Sequence, residues 1–158
     1  MYHYTDGGLR NVWLKNGYVE AKTPYGKAVA FQDLEGLTKA ICLALVQRPG
    51  KLTGAEFRYV RCNMLLSQKA LGSLMEYSEQ AIAKWEKTGK IPKAVEFFLR
   101  SLYLGKNDGN KRISSMIDTA NLIDKAANSK IIVSESRHKW VSRIEQMQDE
   151  DDFADITA

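Results

Sequence analysis

The stretch that most constrains this fold is Ser67 to Lys87, SQKALGSLMEYSEQAIAKWEK. Two short helical patterns meet there at a tight turn. Ser67 and Ser78 each stand where a hydroxyl accepts from the amides of a first helical turn. Ala70, Leu71, Leu74, Ile82 and Trp85 recur at the three- and four-residue spacings of buried helix faces. Each helix has room for about two turns, too little to bury a core alone, so flanking helices must close around the pair. Outside on the second helix remain Glu79, Gln80, Ala81, Ala83 and Lys84. Such a small or polar surface, with hydrogen-bonding groups near the helix start, suits a helix laid into the DNA major groove.

The stretch resembles the Cro/repressor-type helix-turn-helix family, also called the xenobiotic-response-element family. The matching residues are Leu66-Ser67-Gln68, Leu71-Gly72, Leu74-Met75, Tyr77-Ser78 and Ala81-Ile82-Ala83-Lys84-Trp85-Glu86. Two positions depart from the family pattern. Gly72 stands where alanine is usual, a small loss of helix propensity. Glu76 stands where the turn usually has glycine, which asks a non-glycine residue to accept a positive φ. The resemblance implies a base-reading helix with Glu79, Gln80 and Lys84 toward base edges. Gln80 would pair with adenine, Lys84 with guanine, and Glu79 would accept from cytosine or only cap the helix. Ser78 and Gln68 would meet phosphates, with Lys69 beside Gln68 as a further candidate. Trp85 is expected in the core.

The rest of the basic segment adds cations. Thr53 and Glu56 form a capping-box pattern that opens a helix to about Asn63, with Phe57 and Val60 inward and Arg58 and Arg61 exposed toward phosphate or solvent. Lys87, Lys90 and Lys93 surround the next turn and favour phosphates over bases. Pro92 suits the first turn of a further helix to about Leu104, striped by Val95, Phe98, Leu99 and Leu102. Phe97 and Tyr103 fall off that stripe, and would extend the core or cover a helix of a second subunit.

The net charge of +4 conceals an asymmetry: residues 1–50 carry +2, 51–106 carry +5 and 107–144 carry +3, whereas Glu145 to Ala158 holds six acids and no base. A basic body under the motif is the electrostatic footprint of a DNA binder. Cys42 and Cys62 lie in separate apolar patterns and suggest no disulfide framework. No apolar run reaches membrane-spanning length, and the first residues do not read as a signal peptide. The expected setting is cytoplasmic, at the nucleoid.

The fold class expected is α+β. Residues 1–50 read as a small β/α module for dimerisation or partner binding. Its strands, Val12 to Leu14, Tyr18 to Lys22 and Lys27 to Phe31, would form a three-stranded meander turned at Asn16-Gly17 and Pro24-Tyr25-Gly26. A helix capped by Asp33, Leu34 to Gln47, would cover that sheet with Leu37, Ile41 and Leu45, flanked by Ala40 and Ala44. Residues 51–106 form the helix-turn-helix domain of four to five helices. Residues 107–147 read as a mostly helical extension: a helix over Arg112 to Ala127, a short strand over Lys130 to Glu135, and a helix over His138 to Met147 around Trp140 and Ile144. An acidic disordered tail, 148–158, ends the chain.

No catalytic set is legible: the two histidines are far apart, there is no phosphate-binding glycine loop, and no paired carboxylates sit in a recognisable context. The chain reads as a non-enzyme. His3, Asp6 and Cys42 match no zinc spacing, so no metal or cofactor is expected. The layout, with Leu52 to Arg61 leading into Leu66-Ser67-Gln68 and then Trp85-Glu86 and Ile91-Pro92, also resembles the DNA-binding half of MqsA-type antitoxins. Those hold zinc through two Cys-x-x-Cys pairs, whereas residues 1–50 contain one cysteine. Three readings follow. The first is a repressor binding a palindromic operator in double-stranded DNA as a homodimer. The second is an antitoxin that also neutralises a toxin protein through residues 1–50 and autoregulates its operon. The third is an interaction protein in which the motif has lost DNA binding and only packs.

Overall fold

In the computed structural model, which describes residues 1–126 and 129–146, the chain is an α+β protein. It begins with strands β1 (Tyr2–Tyr4), β2 (Val12–Leu14), β3 (Tyr18–Thr23) and β4 (Gly26–Phe31). Six helices follow: α1 (Leu34–Gln47), α2 (Gly54–Asn63), α3 (Gln68–Met75), α4 (Glu79–Thr88), α5 (Lys93–Asn107) and α6 (Lys111–Ala126). A hairpin, β5 (Ser129–Ser136) and β6 (Lys139–Gln146), comes last. The acidic segment 148–158, and the expected helix end at Ala127, lie outside the described residues.

The helix starts are where local chemistry puts them. The Asp33 carboxylate accepts from the Gly36 amide at 3.1 Å and opens α1. Thr53 Oγ1 accepts from Glu56 N at 3.1 Å while Glu56 Oε1 accepts from Thr53 N at 3.2 Å, a complete capping box for α2. Such caps depend on a few adjacent residues, which makes these boundaries local properties.

The strand pairing departs from a meander. β2 pairs with β1, Tyr2 opposite Leu14 and Tyr4 opposite Val12, and β3 pairs only with β4, from Tyr18–Phe31 to Thr23–Gly26. Gly17 takes a φ of 80° between β2 and β3, but no ladder closes across it. Tyr4 explains the alternative: it is 2 % exposed, its hydroxyl lies 3.1 Å from that of Tyr59 on α2, and its ring meets Phe31 edge-on. Burying this aromatic ties β1, and β2 with it, to α2. Correspondingly, α1 does not cover a three-stranded sheet. It packs against α2 and α5 through Ile41, Cys42, Leu45 and Val46, and Ala40 and Ala44 are exposed.

One cluster of buried side chains runs from Tyr4 to Ala120, with Phe57, Val60, Leu71, Ile82 and Leu99 at full burial. Each such side chain contributes roughly 1.5–3 kcal/mol by leaving water. The segment between α1 and α2 is strapped to α5 by Arg100. Its guanidinium donates to the carbonyls of Val46, Arg48 and Gly50 and to Glu96 Oε1, which also accepts from Leu52 N. On α5 itself Tyr103 enters the core and Phe97 is 71 % exposed.

The C-terminal part contains the plainest correction. Residues expected as a helix over His138 to Met147 form strand β6, in register with β5 from Ser129–Gln146 to Ser136–Lys139. The two loop residues, Arg137 and His138, have φ of 51° and 62°, the signature of a tight two-residue hairpin turn made here without glycine or asparagine. The Glu135 carboxylate accepts from the His138 amide at 2.6 Å and supports that turn. Trp140, expected to pack, is 72 % exposed.

Candidate nucleic-acid interface

Helix α4 packs on both α2 and α3, and α3 and α4 are joined through Glu76, Tyr77 and Ser78. Ser67 Oγ accepts from Ala70 N at 2.9 Å and Ser78 Oγ from Ala81 N at 3.1 Å, so both helices carry hydroxyl caps. Glu76 adopts φ 59°, ψ 35°, the left-handed conformation that the turn requires. The turn then closes when Tyr77 N donates to Gly72 O at 2.9 Å. A Cβ on Gly72 would stand 2.5 Å from the Tyr77 carbonyl oxygen. Gly72 is therefore more than a propensity defect, because the turn folds back over its α-carbon. Tyr77 meets Trp85 edge-to-face with centroids 4.9 Å apart, which fixes the turn against α4.

A buried polar cluster locks the three helices. Arg61 on α2 donates from Nε to Glu86 Oε1 at 2.6 Å, from Nη2 to Glu86 Oε2 at 3.2 Å, and from Nη1 to the Leu66 carbonyl at 2.8 Å. Gln68 Nε2 on α3 donates to Glu86 Oε2 at 2.8 Å. The side chains of Arg61 and Glu86 are only 8 % and 6 % exposed. This overturns the expectation that Arg61 is exposed and faces phosphate: its guanidinium is committed to Glu86 inside the unit. The Gln68 side chain likewise donates to Glu86 through Nε2. Gly54 completes the junction. A Cβ there would collide with the Glu86 carbonyl, so α2 starts directly against the end of α4.

Outside this lock the polar side chains of α4 face solvent, while the two alanines expected beside them on the outer face do so only in part. Glu79, Gln80 and Lys84 are exposed on α4, Ala81 and Ala83 are half-buried beside them, and Ile82 is fully buried behind. Ser78, Lys87 and Lys90 are exposed at the two ends of α4, as are Arg58 on α2 and Lys69 on α3. The unit thus holds a short helix with polar residues outward, flanked by cations and positioned by a rigid core.

Sequence reading missed one basic feature. A cleft of about 750 Å³ opens between the β1–β2 connection, the start of α2 and the end of α4, and Arg10, Arg48, Lys51 and Lys87 line it. Its acids, Glu56 and Glu86, are already paired with Arg48 and Arg61. The cations come from three separated segments, so no run in the sequence announces them.

The residues considered for metal do other work. The His3 ring stacks on Trp13 with centroids 4.1 Å apart and its Nε2 lies 2.7 Å from the Arg10 carbonyl oxygen. Cys42 is fully buried, and burial raises its thiol pKa from 9.0 to about 12, partly offset by a hydrogen bond with Tyr103. Among the described residues, no three His, Cys, Asp or Glu are grouped to hold a metal ion, and no helix is long and apolar enough to cross a membrane.

Neither a family model, nor a curated protein, nor a solved structure matches this chain.

Proposed function

We propose that this protein is a sequence-specific DNA-binding transcription regulator, a repressor that acts as a homodimer on a palindromic operator and reads bases with α4. The observation that carries this reading is the α3–α4 pair. Two capped helices joined by a left-handed turn are held by the Arg61–Glu86–Gln68 cluster, with Glu79, Gln80 and Lys84 outward on the second helix. The cations around α4 supply the sequence-independent attraction to phosphates, and affinity should fall steeply with salt. Gln80 and Lys84 supply hydrogen-bonding groups of the kind that discriminate bases in the major groove. Arg61 takes no part beyond positioning α4.

Gln80→Ala tests this directly in a binding-site selection followed by titration. Discrimination should relax at one position of each half-site by roughly 1–3 kcal/mol. An unchanged preferred sequence would mean that α4 is not the reading helix.

A second reading, an antitoxin that engages a toxin protein through residues 1–50 while repressing its own operon, has one observation in its favour. The β3–β4 hairpin is solvent-exposed over most of its length, with Val19 at 57 % and Tyr25 at 100 % exposure, as a strand pair offered to a partner would be.

A further inference from the structure

The β5–β6 hairpin has an unusual surface. Cross-strand partners share a face, so Ile131 with Ile144, Val133 with Ser142, and Glu135 with Trp140 stand on one side. Four of these six are large apolar side chains, and none is covered: Ile131 is 69 % exposed, Val133 54 %, Trp140 72 % and Ile144 74 %. The other face is mixed: Lys130, Lys139 and the Arg143–Glu145 ion pair stand there beside half-buried Ile132 and Val141, which is 60 % exposed. An isolated two-stranded hairpin is marginal in water and needs an apolar face packed on something.

We propose that this face is the homodimer interface, and that its occupant is the same face of a second copy of this chain. The proposal rests on the operator-binding reading above, which needs two copies of α4, and gives that dimer its contact surface. Charge argues for self-association. Glu135 is the single charged residue among the six, so the face has no complement in a basic or acidic partner, whereas a two-fold axis matches apolar patches to themselves. Area argues the same way. At roughly 150–250 Å² for a large side chain, the four exposures amount to on the order of 500 Å² per copy. With the adjoining Ser142 and strand backbone this approaches the ~800 Å² per partner of a standard stable interface. Two hairpins stacked face to face, about 10 Å apart as in packed sheets, bury all eight apolar side chains and leave Lys130, Lys139 and Arg143 outward with Ile132 and Val141.

The test is the mass of the full-length protein in solution by light scattering on a sizing column, at concentrations up to tens of micromolar. The wild type should run at twice its 17.8 kDa chain mass. Ile131→Lys combined with Ile144→Glu replaces an apolar cross-strand pair by a charged one that still supports the hairpin. It should run at the single-chain mass with an unchanged far-ultraviolet spectrum. Should that variant misfold, Trp140→Thr serves instead, with a dissociation constant raised at least tenfold, while Val141→Thr on the opposite face leaves it unchanged. A monomeric wild type overturns the proposal, as does a folded double variant that stays dimeric, or association that emerges only when residues 147–158 are deleted. A dimer that retards no DNA would leave this interface standing and remove the operator reading. Operator binding by a protein that stays monomeric would do the reverse.

Discussion

Replacing Arg61 by alanine should destabilise this protein far more than loss of a surface ion pair would. The guanidinium makes three hydrogen bonds in a site where its own side chain is 8 % exposed, two to Glu86 and one to the Leu66 carbonyl. Without it the Glu86 carboxylate, 6 % exposed, keeps only the Gln68 amide as a partner. Breaking a buried pair by removing one member costs about 3–5 kcal/mol, chiefly the penalty of the charge left behind. That is a large share of the roughly 5–15 kcal/mol by which a domain is stable. At about 2–4 °C per kcal/mol for a chain of this size, the melting temperature should drop by on the order of 10 °C. Urea denaturation followed by circular dichroism measures the difference. Removing both charges, Arg61→Met with Glu86→Leu, should recover much of the loss, because no unpaired charge remains. A cost for Arg61→Ala below about 1 kcal/mol, the range of exposed pairs, would refute the claim that this cluster locks α2, α3 and α4.

Three more perturbations address the same architecture. Gly72→Ala would raise intrinsic helix propensity by about 1 kcal/mol, yet it should lower the melting temperature, because the new Cβ meets the Tyr77 carbonyl at 2.5 Å; a raised melting temperature would contradict the close approach. Glu76→Gly should stabilise by up to about 1 kcal/mol in the same melt, since glycine accepts the left-handed φ of 59° without strain. Burial raises Cys42 from its ordinary 9.0 to about 12 and Tyr103 from 10.0 to about 12, so folding favours the neutral forms; their contribution is whole below pH 9 and should be lost as pH climbs toward 12. Denaturation series at pH 8 and pH 10.5 should show that fall, and a thiol reagent should label exposed Cys62 in the native protein but reach Cys42 only after unfolding.

What could be read from the sequence was what adjacent residues decide. Asp33, Thr53 with Glu56, Ser67 and Ser78 cap their helices through contacts three residues away, and the helices begin where those residues say. The left-handed turn at Glu76 was expected only through the resemblance, because glycine usually stands at that place in the family pattern. Long-range partners were not. Arg61 looked like a surface cation because Glu86, which buries it, lies 25 residues on. β2 looked like the first strand of a meander because Asn16-Gly17 is a strong turn signal; the burial of Tyr4 against Tyr59, 55 residues away, decides the pairing instead. β6 was misread as a helix because its hairpin turns on Arg137 and His138, without the glycine or asparagine that marks most two-residue turns. On α4, helix period put Glu79, Gln80 and Lys84 on the exposed face but put Ala81 and Ala83 there too, which are half-buried, while the cleft cations Arg10 and Lys51 converge only through tertiary packing.

The central claim is that α4 reads DNA. A gel shift with the DNA immediately upstream of this protein's own gene, at several salt concentrations and with excess unrelated DNA as competitor, tests it most directly. The account predicts a retarded complex that survives the competitor, weakens steeply as salt rises, and loses its resistance to competitor when Gln80 and Lys84 are both alanine. A complex that disappears equally under any competitor, or survives the Gln80 and Lys84 substitutions unchanged, would contradict it.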